Sequence, residues 1–175
     1  MTDPSLADIE AQIGRPPRAE SKVLARCHLA VPVVIGVPPL LDDGTPFPTT
    51  YWLTCPLART RIGRLESSGG VKRLEAKAEN DPVFGRALED AHDRYALNRE
   101  ELIPQDHDGP TPGGGVAGSP RGEYRVKCLH AHYADTAAGN DNPVGDLVGE
   151  WIEPLDCVVP CVIDGERNPE WTDRP

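Results

Sequence analysis

The densest run of reactive side chains is Arg125-Val126-Lys127-Cys128-Leu129-His130-Ala131-His132-Tyr133-Ala134-Asp135. Continued as a helix, it puts Cys128, His132 and Asp135 at i, i+4 and i+7 on one face, with Arg125 one turn earlier. His130 then points the other way, with Val126 and Tyr133. Thiolate, imidazole and carboxylate are the donors zinc takes. Further ligands would have to come from elsewhere, and Arg26-Cys27-His28 and Thr54-Cys55-Pro56 offer thiols. Against zinc stands the lack of any CxxC pair. The competing reading makes Cys128 a small buried hydrophobe and the histidines ordinary hydrogen-bonding groups.

Other candidates carry less. Cys157 and Cys161 form C-x3-C, whose members would lie about 13 Å apart on a strand, and Pro160 opposes a helix, so they read as structural. Cys55 to Arg61 has the C-x5-R spacing of a phosphate cradle, in which a thiolate sits at a helix N-terminus, but the intervening residues lack the glycine a tight cradle favours. His92 lies beside an apolar helical stripe and reads as a core-edge hydrogen bonder, and His107 falls in a loop. The phosphate-loop, dinucleotide-glycine, HExxH and GxSxG patterns are absent.

Charge adds a second theme. The 175-residue chain has a net charge of −10, which argues against general nucleic-acid binding. Yet residues 15–73 hold nine Lys/Arg against four Asp/Glu, and residues 139–175 hold two Arg against nine acids. Arg26 adjoins Cys27, and Arg125 and Lys127 bracket Cys128, so converging cysteines would gather three cations. A small phosphate or carboxylate ligand would neutralise them, or the acidic segment would, through Glu150, Glu153 or Asp156. Five cysteines, an odd number, with no signal-peptide pattern and no apolar run of membrane length, predict reduced thiols in a cytoplasmic protein.

The elements that must position these residues read as one α+β domain over 1–163. A short helix over 5–14 is followed by apolar or β-branched segments at 22–28 and 31–37 and by the strand Thr49–Thr54, a small, mainly antiparallel sheet in the first third. A helical layer packs on it. Ala58, Ile62 and Leu65 line a first helix, Val71, Leu74 and Ala78 a second, and Phe84, Leu88, Ala91 and Tyr95 a third that opens on Asp81-Pro82. Residues 104–120, with four prolines and five glycines, predict a flexible, dispensable loop. A helix over 125–138, a turn at Asn142-Pro143 and a strand within 158–163 complete the domain, and 164–175 read as a polar tail.

Several ordered blocks resemble one family: Ile13-Gly14-Arg15-Pro16-Pro17-Arg18, Asp43-Gly44-Thr45-Pro46-Phe47-Pro48-Thr49, Tyr51-Trp52-Leu53-Thr54-Cys55-Pro56, Ala91-His92, Arg125-Val126-Lys127-Cys128-Leu129-His130 and Asn142-Pro143-Val144-Gly145-Asp146. Together they are similar to an uncharacterised, mainly actinobacterial family, domain of unknown function 501. The resemblance supports Cys27, Cys55, Cys128 and His130 as a metal set and places a histidine where this chain has Asp135. Helical spacing favours His132 and the resemblance favours His130. Genes of that family often neighbour a septum-formation initiator and an exopolyphosphatase. Two functions are therefore expected: a Cys/His cluster binding a metal such as zinc, with a small anion at Arg26, Arg125 and Lys127, or a non-catalytic interaction module associated with cell division.

Overall fold

The computed structural model describes residues 5–173. Helix α1 (Ser5–Ile13) precedes a three-stranded antiparallel sheet of order β1 (Lys22–Arg26), β2 (Pro32–Gly36) and β3 (Tyr51–Leu53). Val23 faces Ile35 across β1 and β2, and Val34 faces Leu53 across β2 and β3. Central β2 is buried along Pro32, Val33, Val34 and Ile35, because both faces are covered. Val34 joins the main core, and Ile35 joins a smaller cluster with Ile9 of α1.

The helical layer follows the expected punctuation. Helix α2 (Pro56–Ser67) starts on a proline and breaks at Gly69, whose left-handed φ of 87° opens α3 (Gly70–Asn80). Asp81 accepts the Val83 and Phe84 N–H groups and, with Pro82, starts α4 (Pro82–Glu100). Their apolar stripes meet Leu129 and Tyr133 of α5 (Leu129–Ala137) and Val144 and Val148 of α6 (Pro143–Ile152) in the main core. Asn142 is not part of a free turn: its Oδ1 accepts the Val144 and Gly145 N–H groups and caps α6. Gly145 lets α6 approach α5, since a Cβ there would run into Thr136 and the His132 carbonyl. The sheet and helical layer together form an α+β fold, and among the described residues no helix is long and apolar enough to cross a membrane.

Three expectations change. The 104–120 segment is a clasp in its second half rather than a free loop. Val116 and Ser119 are fully buried, and His92 Nδ1 accepts the Val116 N–H at 3.0 Å. The buried guanidinium of Arg99 donates to the carbonyls of Gly114 (2.6 Å), Gly115 (3.3 Å) and Pro48 (3.2 Å). The strand within 158–163 shrinks to β4 (Val162–Ile163), paired with β5 (Glu166–Arg167). That hairpin docks on α1, where Gly165 N–H reaches Asp8 Oδ1 and Arg167 Nε–H reaches the Ala11 carbonyl, both at 3.0 Å. The polar stretch from 164 is therefore packed through Trp171; Arg174 and Pro175 lie outside the described residues.

Candidate functional site

Helix α5 begins four residues later than the sequence predicts. Lys127 is left-handed, with φ of 62°, and Cys128 is extended, with φ of −147° and ψ of 114°. The left-handed region costs a side-chain-bearing residue about 1–2 kcal/mol. Two carboxylates hold the chain there: Glu75 of α3 accepts the Val126 N–H at 3.0 Å, and Glu66 of α2 accepts the Leu129 N–H at 2.7 Å. Glu66 thus caps the start of α5 from a neighbouring helix, since Cys128 makes no side-chain cap of its own.

This turn takes Cys128 off the helical stripe and puts it beside His130. The Cys128 sulfur lies 4.0 Å from His130 Nδ1, and Glu66 Oε1 lies 3.2 Å from the same nitrogen. Ligand atoms of Glu66, Cys128 and His130 all fall within 4.8 Å of one another. The other ring nitrogen, Nε2, lies 3.1 Å from the Arg59 carbonyl. A carbonyl only accepts, so Nε2 carries the proton and Nδ1 is the nitrogen turned toward the thiol and carboxylate. Burial pulls the His130 pKa down, but the Cys128 hydrogen bond and the Glu66 charge outweigh it and hold it at about 8.

Cys128 and His130 line a cleft with Thr49, Tyr51, Trp52, Arg59 and Ala117. Arg59 and Glu66 are seven residues apart on α2 and so share a face. Arg59 is exposed, and among the described residues its guanidinium makes no ion pair or hydrogen bond. The family described as protein of unknown function (DUF501) matches residues 23–150. The chain belongs to that family. The DUF501 match takes in Glu66, Cys128 and His130, together with Cys27 and Cys55, and ends before Cys157 and Cys161. Nothing matches among curated proteins or among solved structures.

The structure splits the set Cys27, Cys55, Cys128 and His130 in two. Cys128 and His130 meet at Glu66, whereas Cys27 and Cys55 line a separate apolar cavity with Cys157 and Cys161. The physical reason is the sheet: Cys27 ends β1 and Cys55 caps α2, and both turn toward the C-terminal segment rather than toward α5. The expected anion set is dispersed as well. Arg26 donates to the Ala30 carbonyl and to Ser5 Oγ, Arg125 lies 3.7 Å from Glu75 and 3.8 Å from Glu123, and Lys127 Nζ donates to the Ala117 carbonyl. The acids that neutralise Arg125 come from α3 and the 121–127 segment, not from the C-terminal stretch. The C-x5-R cradle does not form. Burial pushes the Cys55 thiol up to about 11, and Arg61 is spent on the Ile152 and Pro154 carbonyls and on Asp156.

His132 and Asp135, favoured by helical spacing, belong to a closed network. Asp135 receives both Arg94 guanidinium nitrogens, at 3.0 and 2.5 Å, and also the amides of Asn140 and Asn142. His132 sits between Asn142 Oδ1 and the Val126 carbonyl, 3.0 Å from each. Complete burial holds its imidazole neutral, with a pKa near 4. These residues fasten α4, α5 and α6 together. The residue that sequence reasoning missed is Glu66. The available signal was its i+7 relation to Arg59, two charges on one face of a helix.

Proposed function

We propose that Glu66, Cys128 and His130 bind a divalent metal, zinc by the softness of the donors, and that the metal takes a small anion in the cleft. The observation that carries this reading is the pair of His130 contacts. Nδ1 faces the thiol and carboxylate while Nε2–H is fixed on the Arg59 carbonyl, the outer contact that orients a metal-binding imidazole. Three protein ligands leave one tetrahedral position for a ligand from outside, and Cys128 and His130 line the cleft that would admit it. A phosphate or carboxylate oxygen completes the metal there, and the unpaired Arg59 guanidinium supplies a bidentate contact to the same anion. This replaces Arg26, Arg125 and Lys127 as the anion contact. Reduced thiols suit the cytoplasm, which we take as the location.

A second reading, a non-catalytic interaction module serving cell division, draws on exposed Leu24 of β1 and Leu102 just past α4, which line one groove with Asn98. Zinc titration of tag-free protein separates the two. The expected result is one site lost, by about 100-fold or more in affinity, in Cys128→Ala and in His130→Gln. Phosphate should then stabilise the zinc-loaded protein and fail to stabilise Arg59→Ala. Uptake unchanged in both ligand variants sinks the metal reading.

A further inference from the structure

The sheet has an open edge, and the cleft runs along it. Strand β3 has β2 on one side and no strand on the other. Val37 N–H donates to the Thr50 carbonyl at 2.8 Å, and Thr54 N–H donates to the Val33 carbonyl at 2.9 Å. In an antiparallel pair the bonded positions alternate, so Thr50, Trp52 and Thr54 turn their backbone groups to β2. Tyr51 and Leu53 turn theirs the other way. The Tyr95 hydroxyl takes the Tyr51 N–H at 3.3 Å. Among the described residues, the Tyr51 carbonyl and both backbone groups of Leu53 have no protein partner.

Unanswered groups are unusual at such a place. Leu53 is 5% exposed, and more than about 90% of buried backbone N–H and C=O groups are paired. Tyr51 and Leu53 both line the cleft, which holds about 290 Å³ and has Cys128 and His130 at the start of α5 in its wall. No acid lines that space, and Arg59 is the one guanidinium in its lining. One donor and two acceptors are therefore left for whatever fills it. A bare carboxylate only accepts, so it answers the Leu53 N–H and leaves both carbonyls bare. An occupant that satisfies the edge must donate as well, and one that satisfies Arg59 must carry negative charge.

We propose that the occupant is the C-terminal end of a peptide, laid along β3 as a fourth strand with its carboxylate at Arg59 and the metal. The proposal rests on the metal reading above for its anion end alone. A peptide backbone carries the alternating donors and acceptors that a strand edge pairs with, and at its C-terminus they adjoin a carboxylate. Peptide N–H groups donate to the Tyr51 and Leu53 carbonyls, and a peptide carbonyl accepts the Leu53 N–H. The carboxylate takes the two-pronged contact that a guanidinium offers. The three residues of β3 span roughly 10 Å at about 3.3 Å each, so the edge seats a chain end and not a long segment.

The test titrates N-acetyl-trialanine, its C-terminal amide and acetate into the full, tag-free chain, with and without zinc, while backbone amide resonances are followed. The free acid should bind about 10-fold or more tighter than either control. It should also move the Leu53 amide resonance, which acetate leaves in place. N-methylation of the tripeptide, tried at each amide in turn, should cost about 5-fold at one position or more, because it removes a donor to β3. Arg59→Ala, at an exposed position, should fold as the wild type does and lose the preference for the free acid over the amide. Zinc should tighten the free acid. Affinity indifferent to zinc strikes the metal reading and leaves the strand edge standing. A free acid that binds no better than its amide and acetate overturns the peptide proposal even where zinc binds. So does a Leu53 resonance that stays still as the tripeptide binds.

Discussion

His130 and His132 stand two residues apart on one helix and meet opposite fates. His132 is fully buried between two oxygens, in a network where Arg94, Asp135, Asn140 and Asn142 satisfy one another. His130 is 29% exposed at the mouth of a cleft, held at one nitrogen and turned by the other toward a thiol and a carboxylate. Residue type does not separate the two, since both neighbourhoods offer imidazole and carboxylate. Closure does. A network enclosed by protein on every side fastens helices, while one with a face open to a cleft has capacity for something from outside.

The largest expected effect tests the closed side. Asp135→Ala strips a buried carboxylate from Arg94 and two amides, and should destabilise by about 3–5 kcal/mol in urea unfolding. Cys128→Ala, on the open side, should cost no more than about 1 kcal/mol. Equal losses would erase the distinction. Next in size is the response to zinc. At 100 times its dissociation constant, zinc should add about 2.7 kcal/mol to the wild type and nothing measurable to His130→Gln. An Asn140→Ala variant, altered only in the closed network, should keep the full gain.

pH sharpens the comparison further, because the two histidines act with opposite signs. The metal-free His130 pKa is raised from 6.5 to about 8, so its contribution is whole below pH 6.5 and is lost as pH rises through 8. That amounts to about 2 kcal/mol. His132 is lowered from 6.5 to about 4, so its contribution is whole above pH 6.5 and is lost as pH falls through 4. Urea midpoints of the metal-free protein should peak near pH 6.5, and His130→Gln should flatten only the alkaline limb. The smallest effect concerns the strained turn. Lys127→Gly relieves a left-handed side chain and gives up the Nζ bond to the Ala117 carbonyl, so stability should move by less than about 1 kcal/mol. A larger loss would show that Lys127 anchors the Cys128 turn through its ammonium.

Helices α2, α3 and α4 were legible because their limits are written in local chemistry, in Pro56, Gly69 and Asp81-Pro82. The sheet was legible because β-branched runs flank turn residues. What could not be read was long-range. Gly114 and Gly115 look like slack until Arg99, fifteen residues away, claims their carbonyls, and a Cβ on Gly115 would strike the His92 ring. Cys128 looked helical because its neighbours have helical propensity. Its real position is set by Glu66 and Glu75, whose reach across the chain no local window contains. Two of the three members of the candidate site, Cys128 and His130, were therefore visible, and the third, Glu66, was not.

One oxygen of Glu66 serves two masters. Oε1 accepts the Leu129 amide at 2.7 Å and also lies 3.2 Å from His130 Nδ1. Any occupant that draws electron density from this carboxylate weakens the bond to the amide, so the Leu129 proton resonance shifts with occupancy. The first backbone amide of α5 is a built-in spectroscopic meter, readable in solution on unmodified protein, of whatever enters the cleft.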